Sequence, residues 1–101
     1  MKIIAVNINQ KLAEGINLHE ATKRAWILNI NKCQKYSYLI GVAKGEIRSY
    51  FKIDDCLTDE KEPPRSKFKL TKCTLDEEKL IHNYINCNNI KLKYFVAKYI
   101  N

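Results

Sequence analysis

The stretch YSYLIGVAKGEIRSYFKID, residues 36–54, holds two runs rich in Tyr, Ile, Val and Phe, divided by Lys44-Gly45. Gly tolerates the positive φ that a tight two-residue turn needs, so this segment predicts a β-hairpin. In the second run Ile47, Ser49, Phe51 and Ile53 alternate with Glu46, Arg48, Tyr50 and Lys52. Period-two alternation describes a strand with one buried and one polar face, which would line Arg48, Tyr50 and Lys52 along one side.

Upstream, KIIAVNI (2–8) is β-branched and apolar throughout and reads as a buried first strand. EGIN then breaks the pattern. Asn17 followed three positions later by Glu20 resembles a capping box, opening a short helix over 18–25. NKCQK (31–35) adds a helical turn. Downstream, DDCLTDEKEPPRS (54–66) reads as a long exposed connection, since Pro63-Pro64 block regular structure. It is either a surface loop or a lid ending at Arg65. KFKLTKC (67–73) alternates as a strand. TLDEEKLIHNYI (74–85) opens with Thr74 and Glu77, a capping box with acidic residues in the first turn, and predicts a helix. IKLKYFVAKYIN (90–101) reads as a terminal strand.

The 101 residues make one domain, 1–101, with the hydrophobic content of a globular protein and no internal repeat. The predicted fold class is α+β: a small, curled, mostly antiparallel sheet or β-barrel with two or three short helices. No apolar run is long enough to cross a bilayer, and the N-terminal segment lacks a signal peptide's apolar core, so the expectation is a cytoplasmic protein without a membrane partner.

The formal net charge is +7. Residues 1–50 carry eight Lys/Arg against three Asp/Glu, and residues 51–101 carry ten against eight. Such a surplus either favours an anionic partner, nucleic acid above all, or reflects a Lys-rich solvated surface. The four cysteines, Cys33, Cys56, Cys73 and Cys87, form no C-x-x-C pair, and the two histidines, His19 and His82, lie far apart. These spacings argue for reduced, structural thiols and against a metal site or cofactor. No Ser/His/Asp grouping, H-E-x-x-H, phosphate-binding loop or dinucleotide fingerprint occurs, so no catalytic residue is assigned.

Several segments, taken in order, resemble a small PUA-like (EVE/ASCH-type) domain family. Its members occur alone or joined to GIY-YIG-nuclease-like and other defence-associated bacterial modules. The family's opening "EATR" leading to a Trp is similar to EATKRAW (20–26), and its "YALAV-x-x-G-x-V-R-x-V-Y-x-I" is similar to YLIGVAKGEIRSYFKI (38–53). Arg65-Ser66-Lys67-Phe68 resembles its later Arg-x-x-Phe, and Tyr99-Ile100-Asn101 its closing "YVN". The family's Arg after Ala-Thr falls on Lys23, and the aromatic between its later Arg and Phe falls on Ser66. The resemblance implies a PUA-like barrel and a nucleic-acid or modified-base role, in DNA or RNA.

An aromatic ring beside cations can grip a nucleotide, the ring stacking on a base and the cations meeting phosphate. Thr22, Lys23, Arg24, Trp26, Arg48, Tyr50 and Arg65 are the candidate set. Trp26 is either the stacking platform or a core anchor, and burial decides between them. Lys23 and Arg24 hold phosphate or face water. Thr22 bonds a ligand or the local backbone. Arg48 and Tyr50 form an exposed pair or pack across strands. The function expected is a non-catalytic nucleic-acid-binding module, possessing a pocket for a modified or flipped base. The alternatives are a protein-interaction module of a mobile genetic element or defence system, binding a host or phage protein, and a small-molecule binder.

Overall fold

The computed structural model describes residues 1–26, 28, 30–61 and 65–101, with the side chains at 24 and 25 outside that description. In chain order the elements are β1 (Ile3–Asn7), α1 (Asn9–Ala13), α2 (Leu18–Lys23), β2 (Arg24–Trp26), α3 (Ile30–Cys33), β3 (Tyr38–Ala43), β4 (Glu46–Thr58), β5 (Ser66–Lys72), α4 (Leu75–Cys87) and β6 (Ala97–Ile100). This is an α+β fold. Five strands form one mixed, mostly antiparallel sheet in the order β5-β4-β3-β1-β6, and the three-residue β2 extends it beside β5.

The centre of the sheet follows from the apolar run at 3–6. Side chains in a strand alternate between faces, so a run without polar interruption needs cover on both. Ile4 and Val6 pack with Ala21, Trp26, Leu39 and Phe68 on the face under α2 and α3. Ile3 and Ala5 pack with Ile40, Val42, Ile81 and Ile85 under α4. β1 pairs parallel to β3, with Ile3 opposite Tyr38 and Asn7 opposite Val42, and the long crossover between them carries α1, α2, β2 and α3. Two apolar clusters on opposite faces define a layered sheet, whereas a barrel has a single interior. β2 and β6 stand at opposite edges and do not pair among the described residues. The expected curled sheet or closed barrel is therefore corrected to an open sheet with helices on both faces.

The hairpin forms where the sequence places it. Lys44 and Gly45 have φ of 53° and 75°, both positive as a type I′ turn requires. The alternation beyond it is corrected by one residue. Gly41 pairs with Ser49 but Val42 pairs with Ile47, so Arg48 is the extra residue of a β-bulge. Ile47 thereby joins Tyr38 and Tyr50 on the α4 side, while Ser49 faces α2.

Among the described residues four helices form, one more than the upper expectation, the addition being α1. The α2 helix begins as expected, with Asn17 Oδ1 accepting from Glu20 N at 3.0 Å, but ends at Lys23 instead of 25 because Arg24–Trp26 pair with β5. The segment read as loop from 54 is strand to Thr58. Cys56 lies opposite Phe68, both buried, and this apolar pair outweighs the acidic Asp54-Asp55 beside it. Of the expected loop 54–66 only a short connection remains, held by Asp59 N donating to Arg65 O at 2.7 Å. The Pro63-Pro64 pair lies outside the described residues. The capping box at the start of α4 is complete: Glu77 N donates to Thr74 Oγ1 at 3.2 Å, and Thr74 N to Glu77 Oε1 at 2.9 Å. The expected terminal strand shortens to β6, since the backbone at Asn89 and Tyr94 turns to positive φ. Among the described residues, no helix is long and apolar enough to cross a membrane.

Candidate functional site: a cleft beside Trp26

Where β1 ends, the chain turns directly into α1, and this corner places Asn7, Asn9, Gln10 and Lys11 beside Trp26 of β2. Arg65, just before β5, and Phe95 complete a cleft of about 380 Å³, within the size range of ligand pockets. Trp26 is 6 % exposed. Its Nε1 donates to Thr22 O at 2.9 Å, which fixes the ring against α2. Lys11 Nζ stands 3.8 Å from the ring centroid, in cation–π range. Trp26 is thus an anchored core residue that also forms one wall of the cleft.

The amides around it are held by backbone. Asn7 Oδ1 accepts from Asn9 N, and Asn9 Oδ1 accepts from Lys44 N, each at 3.0 Å. With both carbonyl oxygens engaged, the Asn7 and Asn9 NH₂ groups are the donors these side chains retain. The described lining contains Asn, Gln, Lys, Arg and aromatic residues but no carboxylate, His, Cys or Ser. It supplies hydrogen-bond donors, positive charge and an aromatic wall.

Of the seven residues singled out from sequence, Trp26 and Arg65 meet in this cleft. Thr22 is fully buried, its Oγ1 2.8 Å from Leu18 O and 2.9 Å from Ser49 Oγ. Gly41 N donates to the same Ser49 Oγ at 3.1 Å. A Cβ at position 41 would lie 2.4 Å from Ser49 Oγ and 2.5 Å from Thr22 Oγ1, so only glycine fits beneath this pair. Thr22 therefore locks α2 onto the sheet. Lys23 faces Glu20 at 3.9 Å in a part-exposed pair, an arrangement that adds little stability. The side chain of Arg24 lies outside the described residues.

Arg48 and Tyr50 line a separate hollow of about 440 Å³ with His19, Phe51, Lys72 and Glu78. Arg48 Nη2 is 3.6 Å from Glu46 Oε2, and burial followed by the nearby Glu78 raises the Tyr50 phenol above its ordinary range. Trp26 and Arg65 thus share one place and Arg48 and Tyr50 another, while Thr22 and Lys23 line neither. Asn7, Asn9, Gln10, Lys11 and Phe95 were not singled out from sequence. For the first four the signal is the abrupt change from a buried strand to polar residues in VNINQK; Phe95 carries none.

The thiols are all free, with Cys33, Cys56 and Cys73 buried and Cys87 exposed. Cys33 and Cys56 share a thiol hydrogen bond that lowers the Cys33 pKa and raises that of Cys56. Among the described residues no three His, Cys, Asp or Glu side chains converge as metal ligands would.

No family model, curated protein or solved structure matches the chain.

Proposed function

We propose that the chain is a non-catalytic nucleic-acid-binding module whose ligand site is the Trp26 cleft, related to PUA-like domains in sequence pattern but not in sheet closure. One observation carries this reading: the cleft gathers the chain's single tryptophan, Lys11, Arg65 and a row of amides in one concave site, on a protein of net charge +7. Trp26 is buried with Lys11 over its ring and presents a base only its exposed margin, so the partly exposed Phe95 is the aromatic that suits stacking on a base of any sequence, modified or flipped. Lys11 and Arg65 suit an adjoining phosphate, and Arg presents a planar fork that matches its oxygens. The amide donors suit acceptors on a base edge. The PUA-like kinship rests on the order of EATKRAW, YLIGVAKGEIRSYFKI and RSKF, which occupy α2–β2, the β3–β4 hairpin and the start of β5.

The test is a fluorescence-anisotropy titration of labelled single-stranded DNA and RNA octamers across a salt series. With two to four phosphate contacts, affinity falls by roughly ten-fold or more between about 50 and about 200 mM salt. Absence of binding at the lowest salt would refute the reading.

A further inference from the structure

A second hollow, of about 350 Å³, adjoins the Trp26 cleft and shares Asn7, Asn9 and Phe95 with it. Its outer wall is the hairpin turn Lys44-Gly45 and the segment Lys93-Tyr94. Tyr94 is 99 % exposed, the most exposed large hydrophobic among the described residues, and its φ is 58°. A bulky residue in the left-handed region costs about 1 kcal/mol or more. Burial of the ring supplies no compensation, since the ring touches almost nothing. The hairpin turn beside it is held in place. The stem of Lys93 lies across Gly45, where an added Cβ would meet Lys93 Cε at 3.1 Å. Lys44, itself at φ 53°, is tied by its N–H to Asn9 Oδ1. The aromatic ring is thus presented to solvent beside the hairpin turn, with Lys44 and Lys93 in the wall of the hollow.

We propose that Tyr94 is a second stacking platform and that the ligand is a single-stranded nucleic acid of at least two nucleotides. One base occupies the Trp26 cleft, the strand passes over Asn7 and Asn9, and the neighbouring base stacks on Tyr94. Lys44 and Lys93 meet the backbone phosphates of that second step. This inference rests on the cleft being a nucleic-acid site and adds the class of strand and its path. A duplex does not meet these requirements, because its base faces are already stacked on one another.

Stacking on an aromatic contributes about 1–3 kcal/mol per base, so loss of the ring weakens binding about 5- to 150-fold. The experiment measures octamer binding by anisotropy for wild type, Tyr94→Ala, Tyr94→Phe and Lys11→Gln, with unlabelled blunt duplex of the same sequence as competitor. Tyr94→Ala binds at least about 5-fold more weakly, Tyr94→Phe binds like wild type, and duplex competes poorly. Because Tyr94 is solvent-exposed, the melting temperatures of its two variants stay close to wild type. If Tyr94→Ala binds like wild type while Lys11→Gln is weakened, the second platform is overturned and the cleft stands. Duplex competing as well as the unlabelled single strand also overturns the proposal. If wild type binds no octamer, the cleft reading fails and takes the platform with it.

Discussion

Lys11 Nζ sits 3.8 Å from the centroid of the Trp26 ring, so the wall of the cleft carries a cation. A cation over an indole face contributes about 0.5–2 kcal/mol, depending on how dry the contact is. The same ammonium group would meet an entering phosphate. Lys11 therefore links the stability of the β1–α1 corner to occupancy of the cleft.

Replacing Lys11 by Gln separates the two roles. Folding stability falls by no more than about 1 kcal/mol, as for a part-exposed cation–π pair. Octamer affinity falls, and the slope of log affinity against log salt becomes shallower by about 0.7, the value for one lost contact to a single strand. Anisotropy titrations at several salt concentrations, with thermal melts alongside, provide both readings.

Gly41 tests how α2 is mounted. The Thr22–Ser49 hydroxyl pair lies where a side chain at 41 would go. Gly41→Ala forces these buried groups apart and destabilises the fold by about 1–3 kcal/mol, the usual cost of overpacking a tight interior. Urea denaturation measures it. An unchanged midpoint would show that the contact relaxes without cost.

At α4, Thr74→Ala removes the side chain that accepts from Glu77 N. The expected loss is about 1 kcal/mol, typical for an N-cap hydroxyl. Glu77 keeps the leading cause of its lowered carboxyl pKa, the Thr74 backbone N–H, and loses the smaller contribution of the Thr74 hydroxyl. A carbon-13 NMR titration of Glu77 in the variant should move its pKa upward.

Cys73 provides a pH dependence of known sign. Burial, then the charges of Glu77 and Glu78, push its thiol up from 9.0 to about 11. The neutral thiol is favoured in the folded state, so its contribution is fully present below pH 9 and is lost as pH rises through about 11. Lysines titrate over the same window, so the informative quantity is a difference. Melting temperature should fall more steeply above pH 9 for wild type than for Cys73→Ala; parallel curves would contradict the assignment.

The hairpin and the α4 cap were legible because each is encoded within a few residues: Lys44-Gly45 between apolar runs, and Thr74 with Glu77. The bulge at Arg48 was not legible. Its residues continue an acceptable alternation, and only the need of Ile47 to reach the α4 side breaks the register. The extension of β4 was hidden by Asp54 and Asp55, because the stabilising partner of Cys56 is Phe68, distant in sequence. The open sheet depends on the parallel β1–β3 pair, again a long-range contact. At the site, Trp26 and Arg65 stood out by residue type. Asn7, Asn9 and Lys11 acquire meaning only when the β1–α1 corner turns them towards Trp26.

Trp26 is the chain's one tryptophan, so its fluorescence reports on the cleft wall alone. The most direct measurement is its emission during titration with a single-stranded octamer at low salt, in parallel with anisotropy of the labelled strand. The account predicts a saturable change in emission with the same midpoint as the anisotropy, reversed by added salt. Saturable anisotropy with unchanged Trp26 emission would place the nucleic acid elsewhere and contradict the assignment of the cleft.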